Sequence, residues 1–189
     1  AIAAWDWGPY LGAEKIINGI RVKVSPFPKR HPEAMLYKAK ATGNYINSSL
    51  ALRDALASGY DEALILGTDD SVNEGSGENI FLIKDNKLIT PELLTVLDGI
   101  TRKTIITLAN DLGIETIERK IKLEEVFNCD EAFFTGTAAE VTPIIEIDKT
   151  KINNGIPGPI TKMLQENYFS LIKGTYDKHN EWLTVILDK

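Results

Sequence analysis

Asn79-Ile80-Phe81-Leu82-Ile83-Lys84-Asp85-Asn86-Lys87-Leu88-Ile89-Thr90 is the stretch whose reading decides the architecture. An apolar run of strand length meets the turn pair Asp85-Asn86, and a second short apolar run returns from it. That pattern predicts a β-hairpin, and hence an antiparallel pair in whatever sheet the chain builds. Upstream, Glu62-Ala63-Leu64-Ile65-Leu66 reads as a buried strand, joined to the hairpin by a polar, glycine-rich turn from Thr68 to Gly77. Further back, Asn18-Gly19 is a turn signal, and Ile20-Arg21-Val22-Lys23-Val24 alternates with period two, as a half-buried strand does. Three prolines in a basic stretch make 26–32 a loop. A helix is expected from about Ala34 or Ala41 to Ser58, with Tyr45, Ile46, Leu50, Leu52 and Leu56 toward its apolar face and Gly59 as its stop.

Downstream of the hairpin, Asp98-Gly99 precedes a helix over 101–112, with Ile105, Leu108 and Leu112 on one face and Gly113 closing it. Strands are expected at 114–117, 131–134 and 144–147, and a short helix at 123–127. A small-residue turn is expected over 135–139, a loop over 155–159, and a last amphipathic helix over about 160–173. Residues 1–7 are apolar and aromatic and suit a strand, broken at Gly8-Pro9. Helices and strands alternate irregularly around at least one hairpin. The fold class is therefore α/β (mixed α+β), with a mixed rather than a regular parallel sheet.

Composition excludes several classes. The chain has 189 residues, and its formal charge of −6 comes without a basic block, so no nucleic-acid partner is expected. The single cysteine, Cys129, rules out an internal disulfide and suggests no cysteine-based metal site; no metal is expected. His31 and His179 stand far apart in polar contexts and read as surface residues. No apolar run reaches transmembrane length, and the start has no basic region of a signal peptide. A cytoplasmic protein without membrane contact is the simplest expectation. The chain opens on an apolar run without methionine, so a preceding segment is expected.

Four stretches are candidates for chemistry. Lys40 lies in Lys38-Ala39-Lys40-Ala41-Thr42-Gly43-Asn44-Tyr45, among small residues before a helix. Glu74-Gly75-Ser76-Gly77-Glu78-Asn79 runs into a strand; its glycines suit close approach to a ligand, and Glu74 suits a cationic group. It reads equally as an ordinary glycine turn with solvated glutamates. Leu97-Asp98-Gly99-Ile100-Thr101-Arg102 opens a helix, where free N–H groups and the helix dipole favour an anion. Plain capping by Asp98 or Thr101 explains it as well. Thr135-Gly136-Thr137-Ala138-Ala139-Glu140 follows a buried strand, and its N–H groups suit a carboxylate or phosphate, or serve only as a tight turn. A lysine, a carboxylate and two anion sites are the parts that pyridoxal phosphate catalysis requires. No Gly-x-Gly-x-x-Gly follows a strand, so a dinucleotide fold is disfavoured.

These stretches, with Val141-Thr142-Pro143 and Gly158-Pro159-Ile160-Thr161, occur in an order that resembles the fold-type IV pyridoxal phosphate enzymes, and among them the branched-chain amino acid aminotransferases. The resemblance implies the large domain of that fold, a barrel-like mixed sheet with flanking helices. Residues 1–12 then correspond to the end of a small domain and an interdomain loop, and residues 13–189 to the cofactor-binding domain. It implies pyridoxal 5′-phosphate as cofactor. Lys40 becomes the Schiff-base lysine that shuttles the proton, in surroundings cationic and buried enough to favour its neutral form. By the same resemblance Glu74 meets the pyridine nitrogen, Tyr45 the phenolic oxygen, Leu97 the ring, and Ile100 and Thr101 the phosphate. Thr137 and Ala138 are implied for phosphate and substrate carboxylate, Gly77 for room beside the substrate, and Tyr10 for the pocket wall. The implied reaction is amino transfer between Leu, Ile or Val and 2-oxoglutarate, in a homodimer or higher homo-oligomer. D-amino acid aminotransferases, aminodeoxychorismate lyases and a non-catalytic fragment are the alternatives. The family's phosphate-binding arginine belongs to the small domain, and Arg21, Arg30 and Arg53 lie in the wrong context to replace it.

Overall fold

A computed structural model describes residue 3 and residues 10–185; the strand expected over 1–7 lies, residue 3 apart, outside the described residues. Chain order is α1 (Ala13–Asn18), β1 (Ile20–Val24), α2 (Ile46–Ala57), β2 (Glu62–Leu66), β3 (Val72–Gly75), β4 (Asn79–Lys84), β5 (Lys87–Thr90) and α3 (Ile100–Asp111). It continues with β6 (Thr116–Glu118), α4 (Leu123–Phe127), β7 (Glu131–Gly136), β8 (Glu140–Ile147), β9 (Thr150–Lys151) and α5 (Pro159–Ile172). The expected hairpin is present: Leu82 pairs with Ile89 and Lys84 with Lys87, and Asp85 and Asn86 both take positive φ. Two left-handed residues are what a tight two-residue β-turn demands.

The sheet is mixed and closes on itself. Its order runs β3-β2-β1-β8-β7-β4, and a further pairing of β3 with β4 at Glu74 and Asn79 completes a barrel of six strands. β4 divides its second edge between β3 at Asn79 and β5 from Leu82 onward, so β5 and β6 extend outward. β1 runs parallel to both β2 and β8, whereas β4, β7 and β8 are antiparallel neighbours. Closure removes most of the exposed edge that an open sheet would carry.

The continuous apolar run of β4 follows from burial on both faces. Ile80 and Leu82 join Ile20, Val22, Leu64, Phe134 and Ile144 in one core that fills the barrel. Phe81 and Ile83 point the other way, into a second core beneath α3 and α5 with Ile105, Leu108, Phe133 and Leu164. There Phe81 stacks on Phe133 at 5.1 Å between ring centroids. Each such side chain contributes about 1.5–3 kcal/mol relative to exposure.

Several expectations are corrected. The turn expected over 68–77 contains strand β3, whose polar residues are buried by barrel closure rather than by an apolar pattern. α2 begins at Ile46, after a 3-10 turn at Thr42–Tyr45, and 35–41 is not helical. Its buried face is Ser48, Ala51 and Ala55, while Ile46, Leu50 and Leu56 are exposed. Small residues allow it to lie close on Ala63 and Ile65 of β2. β8 starts at Glu140, so the small-residue turn shrinks to 137–139. α1 was not anticipated; it ends at Gly19, with φ 87°, where any Cβ would run into Ile145. His179 is half-buried rather than freely exposed: its side chain is 19% exposed and lies 2.8 Å from Asp111.

Candidate active site

The local conformation around Lys40 brings its amine to Tyr45. Residues 42–45 form a single 3-10 turn before α2, which returns the Tyr45 ring over the lysine. Lys40 Nζ donates to the Tyr45 hydroxyl at 2.9 Å and lies 5.2 Å from the ring centroid. Both line a cavity of about 770 Å³ at one end of the barrel. Lys40 is exposed at this cavity, against the expectation of buried surroundings. The opposite wall comes from the segment entering α3 and the turn between β7 and β8.

The cavity brings together Tyr10, Lys40, Tyr45, Gly77, Leu97, Ile100, Thr101, Thr137 and Ala138. Glu74 stands apart, in a small adjoining cleft that shares Tyr45, Ser48 and Leu97 with the cavity wall. There Glu74 Oε2 accepts the Leu97 N–H at 3.0 Å and the Asn79 amide at 3.3 Å, and its other oxygen pairs with Lys29. Asn79 also donates to the Leu97 carbonyl at 2.9 Å and packs so close to Gly99 that a Cβ there would collide with its side-chain oxygen. Asn79 thereby holds both ends of the turn into α3.

That turn leaves α3 without a side-chain cap: Gly99 is the N-cap and Asp98 pairs with Lys103 at 2.7 Å instead. The alternative of plain capping by Asp98 or Thr101 is therefore absent, and the first turn of a twelve-residue helix lines the cavity as an electropositive end. Arg102 fixes this end from behind. It is 1% exposed and donates to the Pro91 carbonyl at 2.9 Å and to Glu118 at 2.7 Å. The Thr135 hydroxyl, at the cavity wall, is buried and has no partner among the described residues.

Buried carboxyls stand near Tyr10. Burial pushes the Glu78 carboxyl up to about 8, and the neighbouring Glu62 and Glu74 add to it, against the Gly77 N–H and Lys40. Burial also raises Glu62, which is fully enclosed and has one carboxyl oxygen without a partner among the described residues. Tyr10 is pushed up to about 12 by burial and by these two glutamates, so it stays a neutral phenol. The sequence carries no functional signal for Lys29 or Glu62, and it marks Glu78, Asn79 and Thr135 only as members of the candidate turns, without a role of their own. Glu78 and Asn79 had a signal, as polar residues entering an apolar strand, while Lys29 in its proline loop had none.

A lysine amine set on a phenol, facing an uncapped helix end across a roomy cavity, is a candidate site whose chemistry suits an anionic carbonyl compound. The sequence profile described as amino-transferase class IV matches residues 1–147. The branched-chain-amino-acid aminotransferase of Pseudomonas aeruginosa is 51% identical over 98% of this chain, which covers 60% of that protein. The crystal structure of the Escherichia coli branched-chain amino acid aminotransferase superposes with a TM-score of 0.93 at 41% identity, over 95% of this chain and 60% of that one. The Thermobaculum terrenum enzyme of the same name, solved in its PLP-bound holo form, gives 0.85 at 39% identity, over 87% of this chain and 54% of that one. The chain belongs to the class IV amino-transferase family. It spans about 60% of the length of the curated relatives it matches.

Proposed function

We propose that this chain is the cofactor-carrying part of a branched-chain amino acid aminotransferase. It binds pyridoxal 5′-phosphate and moves the amino group between Leu, Ile or Val and 2-oxoglutarate. The observation that carries this reading is the Lys40–Tyr45 contact across the cavity from the open N-terminus of α3. The names of the relatives support the substrate class.

The residues present fit the cofactor. The N–H groups at Ile100 and Thr101, uncapped by any side chain, suit its phosphate, and the orphaned Thr135 hydroxyl suits a polar ligand atom. When bound, the cofactor supplies an electron sink for a negative charge developing at the substrate α-carbon. Lys40 provides the amine that binds it and later takes and returns the proton at that carbon. The Tyr45 hydroxyl orients the Lys40 amine and hydrogen-bonds the cofactor's phenolic oxygen. Glu74, from the adjoining cleft, would hold the ring nitrogen, and Leu97 would pack on the ring. Thr137 and Ala138 orient the substrate carboxylate. At Gly77 an added Cβ would meet no atom of the described residues within 4 Å, which leaves room for a branched side chain that Tyr10 bounds. Residues 13–189 act as the cofactor domain and residues 1–12 as the connection preceding it.

Copies of the chain associate through the exposed apolar residues at the start of α2. Borohydride reduction of the cofactor-loaded protein, followed by peptide mass analysis, is expected to place the pyridoxyl group on Lys40, and Lys40→Ala to abolish transfer to 2-oxoglutarate. Label on another lysine with Lys40→Ala fully active overturns the reading. Preference for D-amino acids, or lyase activity on a chorismate derivative, assigns another branch of the family.

A further inference from the structure

We infer that Lys29 is a positioning residue, which clamps the Glu74 carboxylate so that Glu74 presents a fixed charge behind Leu97 to the ring of a bound cofactor. The inference rests on the reading above, in which Glu74 meets the ring nitrogen.

Lys29 belongs to the loop after β1, and its backbone N–H is tied to the Leu66 carbonyl at the end of β2 at 2.7 Å. Its side chain is only 9% exposed, which is unusual for lysine. An ammonium removed from water is costly unless an opposite charge meets it at close range. That charge is Glu74, equally withdrawn, with 10% of its side chain exposed. The remaining side of the ammonium faces the Tyr37 ring at 5.6 Å from the centroid. Tyr37 is itself buried and donates its hydroxyl to the Arg30 carbonyl. Burial, reinforced by the charge of Glu74, pushes this phenol up to about 12, so it remains neutral and does not compete for the lysine.

Glu74 consequently has a different partner on each oxygen. Oε1 takes Lys29, while Oε2 takes the Leu97 N–H and the Asn79 amide. The Lys29 contact sets the rotation of the carboxylate and compensates its charge. The contacts on Oε2 bind it to the wall of the cavity. Lys29 lines the cleft with Glu74 and not the main cavity, so it acts on the site through Glu74. Without the ammonium, a buried carboxylate keeps only neutral donors and leaves this orientation.

The test compares Lys29→Met and Lys29→Arg with the unaltered protein, each loaded with pyridoxal 5′-phosphate. The readouts are the dissociation constant of the cofactor and the pH midpoint of its visible absorption change. In Lys29→Met the cofactor is expected to bind about tenfold more weakly, and the midpoint to move upward by about one pH unit. Lys29→Arg, which keeps the charge, restores both. The double variant Lys29→Met/Glu74→Gln replaces the buried pair by neutral groups and guards against loss of folding. It is expected to match Glu74→Gln alone. Lys29→Met with the unaltered midpoint and affinity overturns the inference. So does a Lys29→Met effect that persists undiminished in the Glu74→Gln background. If Glu74→Gln itself leaves the visible band and its pH response unchanged, the assignment of Glu74 fails first, and the inference falls with it.

Discussion

Glu78 is 5% exposed, and its carboxyl is lifted to about 8 by burial and by the carboxylates around it. The folded chain therefore keeps a proton that the unfolded chain releases near the ordinary glutamate value of 4.5. Its contribution to stability is whole below that value and is lost as pH rises through about 8. The urea midpoint is expected to fall between pH 5 and pH 9, by on the order of 3 kcal/mol in stability. Glu78→Gln should flatten much of that decline, with a remainder from Glu62, whose carboxyl is also raised. An equal slope in Glu78→Gln would refute the assignment. At this scale the sequence marks Lys40 and Thr137 through their small-residue surroundings and Thr101 through its place at a helix start after Asp98-Gly99. It does not mark Lys29, because a lysine between prolines looks solvated until the fold closes around it.

Among the elements, α3 is anchored to the sheet by a buried side chain in its first turn. Its buried arginine joins the first helical turn to the ends of β5 and β6 through Pro91 and Glu118. Arg102→Met is expected to cost about 2 kcal/mol in urea unfolding, because it leaves the Pro91 carbonyl without its buried donor. A loss below about 0.5 kcal/mol would place the arginine among ordinary surface substitutions. The period of 101–112 identified the helix, and Asp85-Asn86 identified the hairpin, because both signals are local. β3 escaped notice since Val72-Asn73-Glu74-Gly75 has no strand pattern; antiparallel pairing with β2 makes it a strand. α2 was found but turned the wrong way, because its close packing on β2 selects serine and alanine, and its larger apolar residues face outward.

That outward face matters for the whole molecule. Leu36 is 80% exposed, Ile46 60% and Leu50 48%, and the Asn44 amide holds the Leu36 carbonyl against the start of α2 at 3.2 Å. Ile46 and Leu50 are one helical turn apart, so they share one exposed apolar face of α2. Sedimentation velocity is expected to show self-association of the protein, and Ile46→Lys with Leu50→Lys to weaken it at least about tenfold. A monomer at all concentrations, or an unchanged oligomer in the double variant, would place the interface elsewhere.

The sequence by itself determined the fold class, the hairpin, the helices α2 to α5, and the small-residue turns on which the candidate lysine-centred site rests. Turn chemistry and hydrophobic period act over a few residues, so they survive in the linear text. The tertiary structure alone decided the closure of β3 onto β4, which places Glu74 beside Asn79 behind the cavity wall. It also decided the partner of Glu74, since Lys29 is 45 residues away in sequence and only burial makes their charges seek each other.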